Sequence, residues 1–70
     1  MENYKNLGND SGVTAFEIGK DYILVQFKNH TYEYNYITPG EVHTNNMKSL
    51  ARRGKGLNGY INKYVRAKLL

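Results

Sequence analysis

Hydrophobic and polar residues alternate in three short stretches of the N-terminal half, and a period of two is typical of β-strands. The stretches cover residues 13–18, 22–28 and 31–37, and the second is rich in β-branched and aromatic residues. Gly19-Lys20-Asp21 turns the chain after the first stretch, and Asn29-His30 forms a tight hairpin turn after the second. The pattern therefore predicts three antiparallel strands.

The spacing of apolar residues becomes helical in the C-terminal half. Thr38, Pro39 and Glu41 suit the cap, the first position and the third position of a helix. We expect this helix to run to about Arg53 and to end at Gly54. A second helix starts near Leu57, because the following apolar positions keep the i, i+3, i+4, i+7 spacing: Tyr60, Ile61, Tyr64, Val65 and Leu69.

These elements predict an α+β fold, in which a three-stranded antiparallel sheet (a βββ meander) is followed by two helices packed on one face. Residues 1–12 are rich in Asn, Gly and Asp and are expected to form a flexible N-terminal arm. Residues 13–70 then form a single domain.

Three tyrosines alternate along the third strand: Tyr32, Tyr34 and Tyr36. With a two-residue turn, they share a sheet face with the apolar residues of the second strand, in the pairs Phe27 with Tyr32, Val25 with Tyr34 and Ile23 with Tyr36. This register favours a tyrosine wall that lines the core, with hydroxyl groups reaching polar partners. A turn with an odd number of residues would reverse the faces and leave a platform for stacking bases, so both interpretations stay open.

The size and charge of the chain indicate its partners. A 70-residue domain without cysteine has a small core, worth roughly 3–5 kcal/mol of net stability, so we expect a homo-oligomer, either a dimer or a tetramer. Residues 36–70 hold seven Lys and Arg residues against Glu41 alone, which indicates an anionic partner. The sequence has no apolar stretch suited to a leader or to a membrane span, and we expect a cytoplasmic protein without a membrane partner.

The sharpest chemical feature is the segment of residues 52–59, here called the basic hinge, in which arginines, a lysine and glycines separate the two predicted helices. Arginine binds phosphate oxygens in a bidentate manner, lysine adds a point charge, and glycines let an anion approach backbone N–H groups. We expect a phosphate site formed by Arg52, Arg53, Gly54, Lys55, Gly56 and Asn58. Tyr34, Tyr36 and Tyr60 are candidates for stacking a base. The alternative is that the hinge only terminates one helix and starts another.

Catalytic chemistry has little support in the sequence. Cysteine is absent, Ser11 and Ser49 have no evident base, and His30 and His43 have no partner pattern. The carboxylates show no paired spacing for acid–base catalysis and no metal-ligand spacing. The segment also lacks the spacing of a nucleoside-triphosphate P-loop. We therefore expect a non-enzymatic protein without cofactor or metal.

The chain resembles the KTSC domain, a small bacterial and viral module named for its occurrence at the C-terminus of some lysyl-tRNA synthetases. The resemblance covers roughly residues 9–64 and is carried by Phe27, by Tyr32-Glu33-Tyr34-Asn35-Tyr36, by Ile37-Thr38-Pro39 and by Gly54-Lys55-Gly56-Leu57-Asn58-Gly59-Tyr60-Ile61. Leu57 replaces an aromatic residue of the family pattern, Arg52 replaces a serine, and Pro39 is shifted by one position. The resemblance implies the same fold and suggests RNA binding.

Three functions follow as hypotheses. The first is a stand-alone protein, similar to small phage proteins of anti-phage defence evasion, that sequesters a cyclic nucleotide in the host cytoplasm. The second is an RNA-binding module, whose affinity would fall steeply with salt. The third is a structural or protein-interaction module.

Overall fold

The protein folds as an antiparallel sheet with two helices, as a computed structural model that describes residues 1–8 and 12–65 shows. The strands are β1 (Glu2–Asn3), β2 (Val13–Ile18), β3 (Tyr22–Phe27) and β4 (Thr31–Asn35), in the spatial order β1-β2-β3-β4. The helices are α1 (Glu41–Arg53) and α2 (Leu57–Tyr60), and α2 continues as a π-helical segment over Ile61–Val65. The predicted α+β class is confirmed, but the sheet has four strands rather than three.

The additional strand lies at the start of the chain, within the stretch that the sequence assigned to an arm. Glu2 pairs with Phe16 and Asn3 pairs with Ala15. Tyr4 follows, with only 6% of its surface exposed, and its backbone N–H donates to the Thr14 carbonyl at 3.0 Å. A strand of two residues is too short to show a period of two in the sequence, and its position follows from the pairing with β2 and the burial of the Tyr4 ring.

The β3–β4 turn lies one residue earlier than predicted. The last ladder pair is Gln26 with Thr31, and residues 28–30 separate the two strands. The Phe27 N–H also donates to the His30 carbonyl at 2.6 Å, so the two residues of the tight turn are Lys28 and Asn29 rather than Asn29 and His30. The predicted pairs are therefore wrong by two positions, but a shift by an even number of residues keeps every side chain on its face.

The tyrosines consequently share a face with the apolar residues of β3, although not as one buried wall. Tyr34 lies opposite Ile23 and is 6% exposed, whereas Tyr32 lies opposite Val25 and is 45% exposed. Tyr36 lies beyond the end of β4 and is half-buried. Tyr34 is therefore a core residue, and it is the only one of the three whose ring is fully packed.

A β-bulge in β2 helps to build this core. Val13 pairs with Phe27, but Ala15 pairs with Gln26, so Thr14 is the extra residue, and its hydroxyl donates to the Gln26 carbonyl at 3.1 Å. The bulge lets both Val13 and Phe16 face the helices, each 2% exposed. The core between sheet and helices contains Tyr4, Val13, Phe16, Ile23, Val25, Tyr34, Met47, Ala51, Leu57, Ile61 and Val65.

Helix α1 does not begin as the capping pattern predicts. Gly40 is the cap residue and no side chain bonds the first turn. The Asn35 side-chain oxygen accepts the N–H groups of Ile37 and Thr38, both at 2.9 Å, and Pro39 pairs with Asn35 outside the helix. The Asn35 side chain thus stabilises a turn before the helix, because its oxygen accepts the N–H groups of Ile37 and Thr38 and so favours a turn over a helical start at Thr38.

The other helix boundaries are close to those predicted. Helix α1 ends at Arg53, and Gly54 adopts the left-handed conformation at φ 78° with its N–H bonded to the carbonyls of Leu50 and Ala51. Helix α2 begins at Leu57, and Ile61 and Val65 continue its buried stripe. The predicted contribution of Leu69 lies outside the described residues. Within residues 1–8 and 12–65, no helix has the length and apolarity that a membrane span needs.

Candidate functional site

The basic hinge connects α1 to α2 through two glycines in the left-handed region. Gly54 has φ 78° and Gly56 has φ 87°, a conformation that costs other residues free energy. Gly54 is also tightly covered, because a Cβ atom at this position would lie 2.7 Å from Cβ of Lys5. The sequence therefore fixes the backbone of the hinge at both glycines.

Residues 4–7, here called the N-terminal segment, pack against the hinge and form two hydrogen bonds with it. The Leu7 N–H donates to the Gly54 carbonyl at 2.7 Å, and the Leu57 N–H donates to the buried Tyr4 hydroxyl at 3.2 Å. The first N–H group of α2 is thus already bonded within the protein. A ligand at the hinge would depend on side chains more than on this N–H group.

The cationic side chains of the hinge point to solvent. Arg52, Arg53 and Lys55 are all exposed, and in the part of the chain that the structure describes no side-chain hydrogen bond or ion pair engages them. Asn58, in the first turn of α2, is half-buried. The three cations are close in the chain and are available to an anion.

Arg52 differs from its neighbours in its surroundings. It lines a groove of about 490 Å³ together with Met1, Glu2, Phe16, Glu17 and Ile18. Glu17 accepts a hydrogen bond from the Tyr22 hydroxyl at 3.1 Å, and this bond raises the pKa of Tyr22. Two carboxylates in the same groove oppose the binding of a phosphate there, so Arg53 and Lys55 are better placed than Arg52 for an anion.

The candidate stacking tyrosines do not converge on one place. Tyr34 is buried, which excludes it as a stacking surface. The Tyr36 hydroxyl donates to Asn45 Oδ1 at 2.9 Å, and Lys48 Nζ lies 5.1 Å from its ring centre. Lys48 itself is buried and donates to the Lys20 carbonyl at 2.9 Å, so this lysine anchors the β2–β3 turn.

Tyr60 belongs to a separate cluster between the two helices. Its hydroxyl lies 2.7 Å from His43 Nδ1 and accepts a bond from Asn46 Nδ2 at 3.0 Å. His43 and Asn46 lie on a different side of α1 from Asn45 and Lys48, which contact Tyr36. The Tyr36 and Tyr60 rings therefore contact different sides of α1.

Tyr64 was predicted to belong to the apolar stripe of the second helix, but its ring is exposed. It is 43% exposed, its ring centre lies 4.9 Å from that of Tyr60, and Lys63 Nζ lies 5.2 Å from it. The change from α-helical to π-helical hydrogen bonding at Ile61 alters the spacing of the stripe, which leaves Tyr64 outside the core. The exposure of Tyr64 was not predictable, because the sequence pattern does not indicate this local change of helix type.

Metal and family relationships add no further assignment. In residues 1–8 and 12–65, no group of His, Cys, Asp or Glu side chains is arranged to hold a metal ion. Comparison of the chain with protein-family models, curated proteins and solved structures gives no match.

Proposed function

We propose that the protein is a non-enzymatic binder of phosphate-bearing nucleotides and that the basic hinge is its binding site. The observation that supports this proposal is the pair of exposed cations Arg53 and Lys55, which no side-chain hydrogen bond or ion pair engages within the described residues, on a backbone held by Gly54 and Gly56. A site that is ordered before the ligand arrives loses less conformational entropy on binding. Charge-assisted hydrogen bonds from arginine are the strong contacts that phosphates favour.

The preferred ligand is a small cyclic nucleotide, sequestered between copies of the chain. The hinge cations face solvent, so a second copy is needed to enclose a small ligand. Ile37 and Val42 are 91% and 72% exposed, and apolar side chains this exposed in so small a domain favour self-association. A dimer or tetramer that holds the nucleotide fits the KTSC-like, phage-associated role that the sequence suggests.

An RNA-binding module is the second candidate, and the open surface at the hinge favours it. An RNA strand needs no enclosed pocket, since cations follow its backbone and exposed rings stack its bases. Tyr64, with Lys63 beside it, is such a ring in the described part of the chain. The two candidates share the same hinge cations and differ in their dependence on salt.

A binding panel separates the candidates. Labelled cyclic dinucleotides and short single-stranded RNAs are titrated at about 50 mM and about 200 mM salt, with the oligomeric mass measured by light scattering. For a sequestering protein we expect tight binding of one cyclic dinucleotide that persists at the higher salt, to a dimer or larger species. Arg53→Gln should weaken this binding about tenfold, which corresponds to about 1.4 kcal/mol.

Other results would change the assignment. Binding of every RNA, lost at the higher salt and without affinity for any cyclic dinucleotide, would replace the sequestering role by the RNA-binding role. Binding of neither class would contradict the nucleotide proposal altogether and favour the protein-interaction module. Lys28→Met, at an exposed position on the β3–β4 turn, is the control and should retain full affinity, because β2 separates β3 from β1 and the segment that contacts the hinge.

A further inference from the structure

The N-terminal segment places a cation on the basic hinge that the sequence order does not suggest. Lys5 lies far from residues 52–59 in the chain, yet its Cβ, Cγ and Cδ lie 2.7, 3.3 and 3.4 Å from the position of a Cβ on Gly54. Because Gly54 has no side chain, the aliphatic stem of Lys5 can lie directly against it. The Lys5 side chain is exposed, so its ammonium group remains accessible.

The position of Lys5 is fixed by contacts on both sides of it. Tyr4 is buried and accepts the Leu57 N–H, and the Leu7 N–H donates to the Gly54 carbonyl at 2.7 Å. These contacts hold the backbone of the segment against the hinge. Lys5 is thus brought to the hinge by its neighbours and keeps its charge available.

Gly54 is flanked in the chain by Arg53 and Lys55, both exposed, so the stem of Lys5 lies against the residue between them. The chain neighbours of these three cations include no acidic residue. In contrast, Arg52 shares its groove with the carboxylates of Glu2 and Glu17.

We propose that Lys5, Arg53 and Lys55 form a composite anion site centred on Gly54, which binds a diphosphate-like group, and that Arg52 lies outside it. This inference rests on the proposed function for the identity of the ligand, but the site itself can be tested with an inorganic anion. Two of its cations come from the hinge and the third from the N-terminal segment. Because the segments are distant in sequence, the site exists only in the folded chain.

Inorganic pyrophosphate is the probe, and the shifts of backbone amide resonances in the full chain are the readout. We expect concentration-dependent shifts at both Lys5–Leu7 and Arg53–Lys55. The variant Lys5→Met keeps the length of the stem over Gly54 and should weaken pyrophosphate binding on the order of tenfold, while Lys5→Arg should restore it. Arg52→Gln and Lys28→Met, the latter on the β3–β4 turn, should each change the affinity less than threefold, on the scale of about 0.6 kcal/mol.

Several outcomes overturn the composite site. Shifts confined to residues 52–57, or spread over all lysines, would remove Lys5 from the site, as would full affinity in Lys5→Met. A loss in Arg52→Gln that equals the loss in Arg53→Gln would move the site to the groove. If pyrophosphate binds as expected but no nucleotide does, the composite anion site is supported and the nucleotide proposal fails. If a nucleotide binds and Lys5→Met retains full affinity for it, the nucleotide proposal is supported and the composite site fails.

Discussion

Replacement of Tyr4 by alanine should destabilise the domain by about 3–5 kcal/mol, the range for removal of a large buried aromatic side chain. The ring is 6% exposed and belongs to the core, and its hydroxyl is the partner of the buried Leu57 N–H. Since a domain of this size has roughly 3–5 kcal/mol of net stability, most Tyr4→Ala molecules should be unfolded at room temperature. Urea denaturation followed by circular dichroism measures the change.

Two further variants separate the contributions of Tyr4. Tyr4→Phe retains the ring but leaves the Leu57 N–H without its partner, and we expect a loss of about 1–3 kcal/mol. Leu7→Ala is the matched control in the same segment, because the Leu7 side chain is 66% exposed and its bond to Gly54 uses the backbone. It should change stability by less than about 0.5 kcal/mol. A Tyr4→Ala variant as stable as Leu7→Ala would mean that residues 1–8 form a loose arm after all.

Replacement of Gly54 by alanine should have the second large effect. The φ of 78° costs a non-glycine residue about 1–2 kcal/mol, and the new Cβ would lie 2.7 Å from Cβ of Lys5. This neighbour is an atom attached directly to the backbone, so the N-terminal segment must move. We expect a total loss of about 2–4 kcal/mol, measured as a fall in the urea midpoint.

Gly59→Ala is the control for the glycine change. Gly59 lies in α2, and a Cβ at this position meets nothing within 4 Å. Alanine there should be neutral or should stabilise the helix by up to about 1 kcal/mol. A loss in Gly54→Ala no larger than the about 1–2 kcal/mol due to its φ would show that the close contact between Lys5 and the hinge does not form. Equal effects of Gly54→Ala and Gly59→Ala would also contradict the left-handed conformation of Gly54.

The elements that were predictable from sequence are those with a repeated local pattern. Strands β2 to β4 lie where the alternating stretches predict them, although the bulge at Thr14 interrupts the period of two in β2, and the end of α1 follows from Gly54. The start of α1 was not predictable, because Asn35 uses its side chain to bond the N–H groups of Ile37 and Thr38. The position of the β3–β4 turn was not predictable either, since a tight turn at Asn29-His30 and one a residue earlier give the same face to every tyrosine.

The candidate site was predictable only in part, for a different reason. Arg53, Lys55 and the two glycines stand out because they are adjacent in the chain. Lys5 was not predictable as a site residue, because only the tertiary contacts of Tyr4 and Leu7 bring it to the hinge. The burial of Tyr34 and the exposure of Tyr64 likewise depend on packing and on a local change of helix type.

The proposed function requires that the hinge cations bind a nucleotide at one place rather than through the general positive charge of the protein. Two variants of equal net charge test it most directly: Lys55→Glu in the hinge and Lys28→Glu on the β3–β4 turn, both at exposed lysines. The measurement is the affinity of each for the tightest-binding cyclic dinucleotide or RNA at about 200 mM salt. We expect a loss of tenfold or more, about 1.4 kcal/mol, in Lys55→Glu alone. Equal losses in both variants, or none in either, would contradict it.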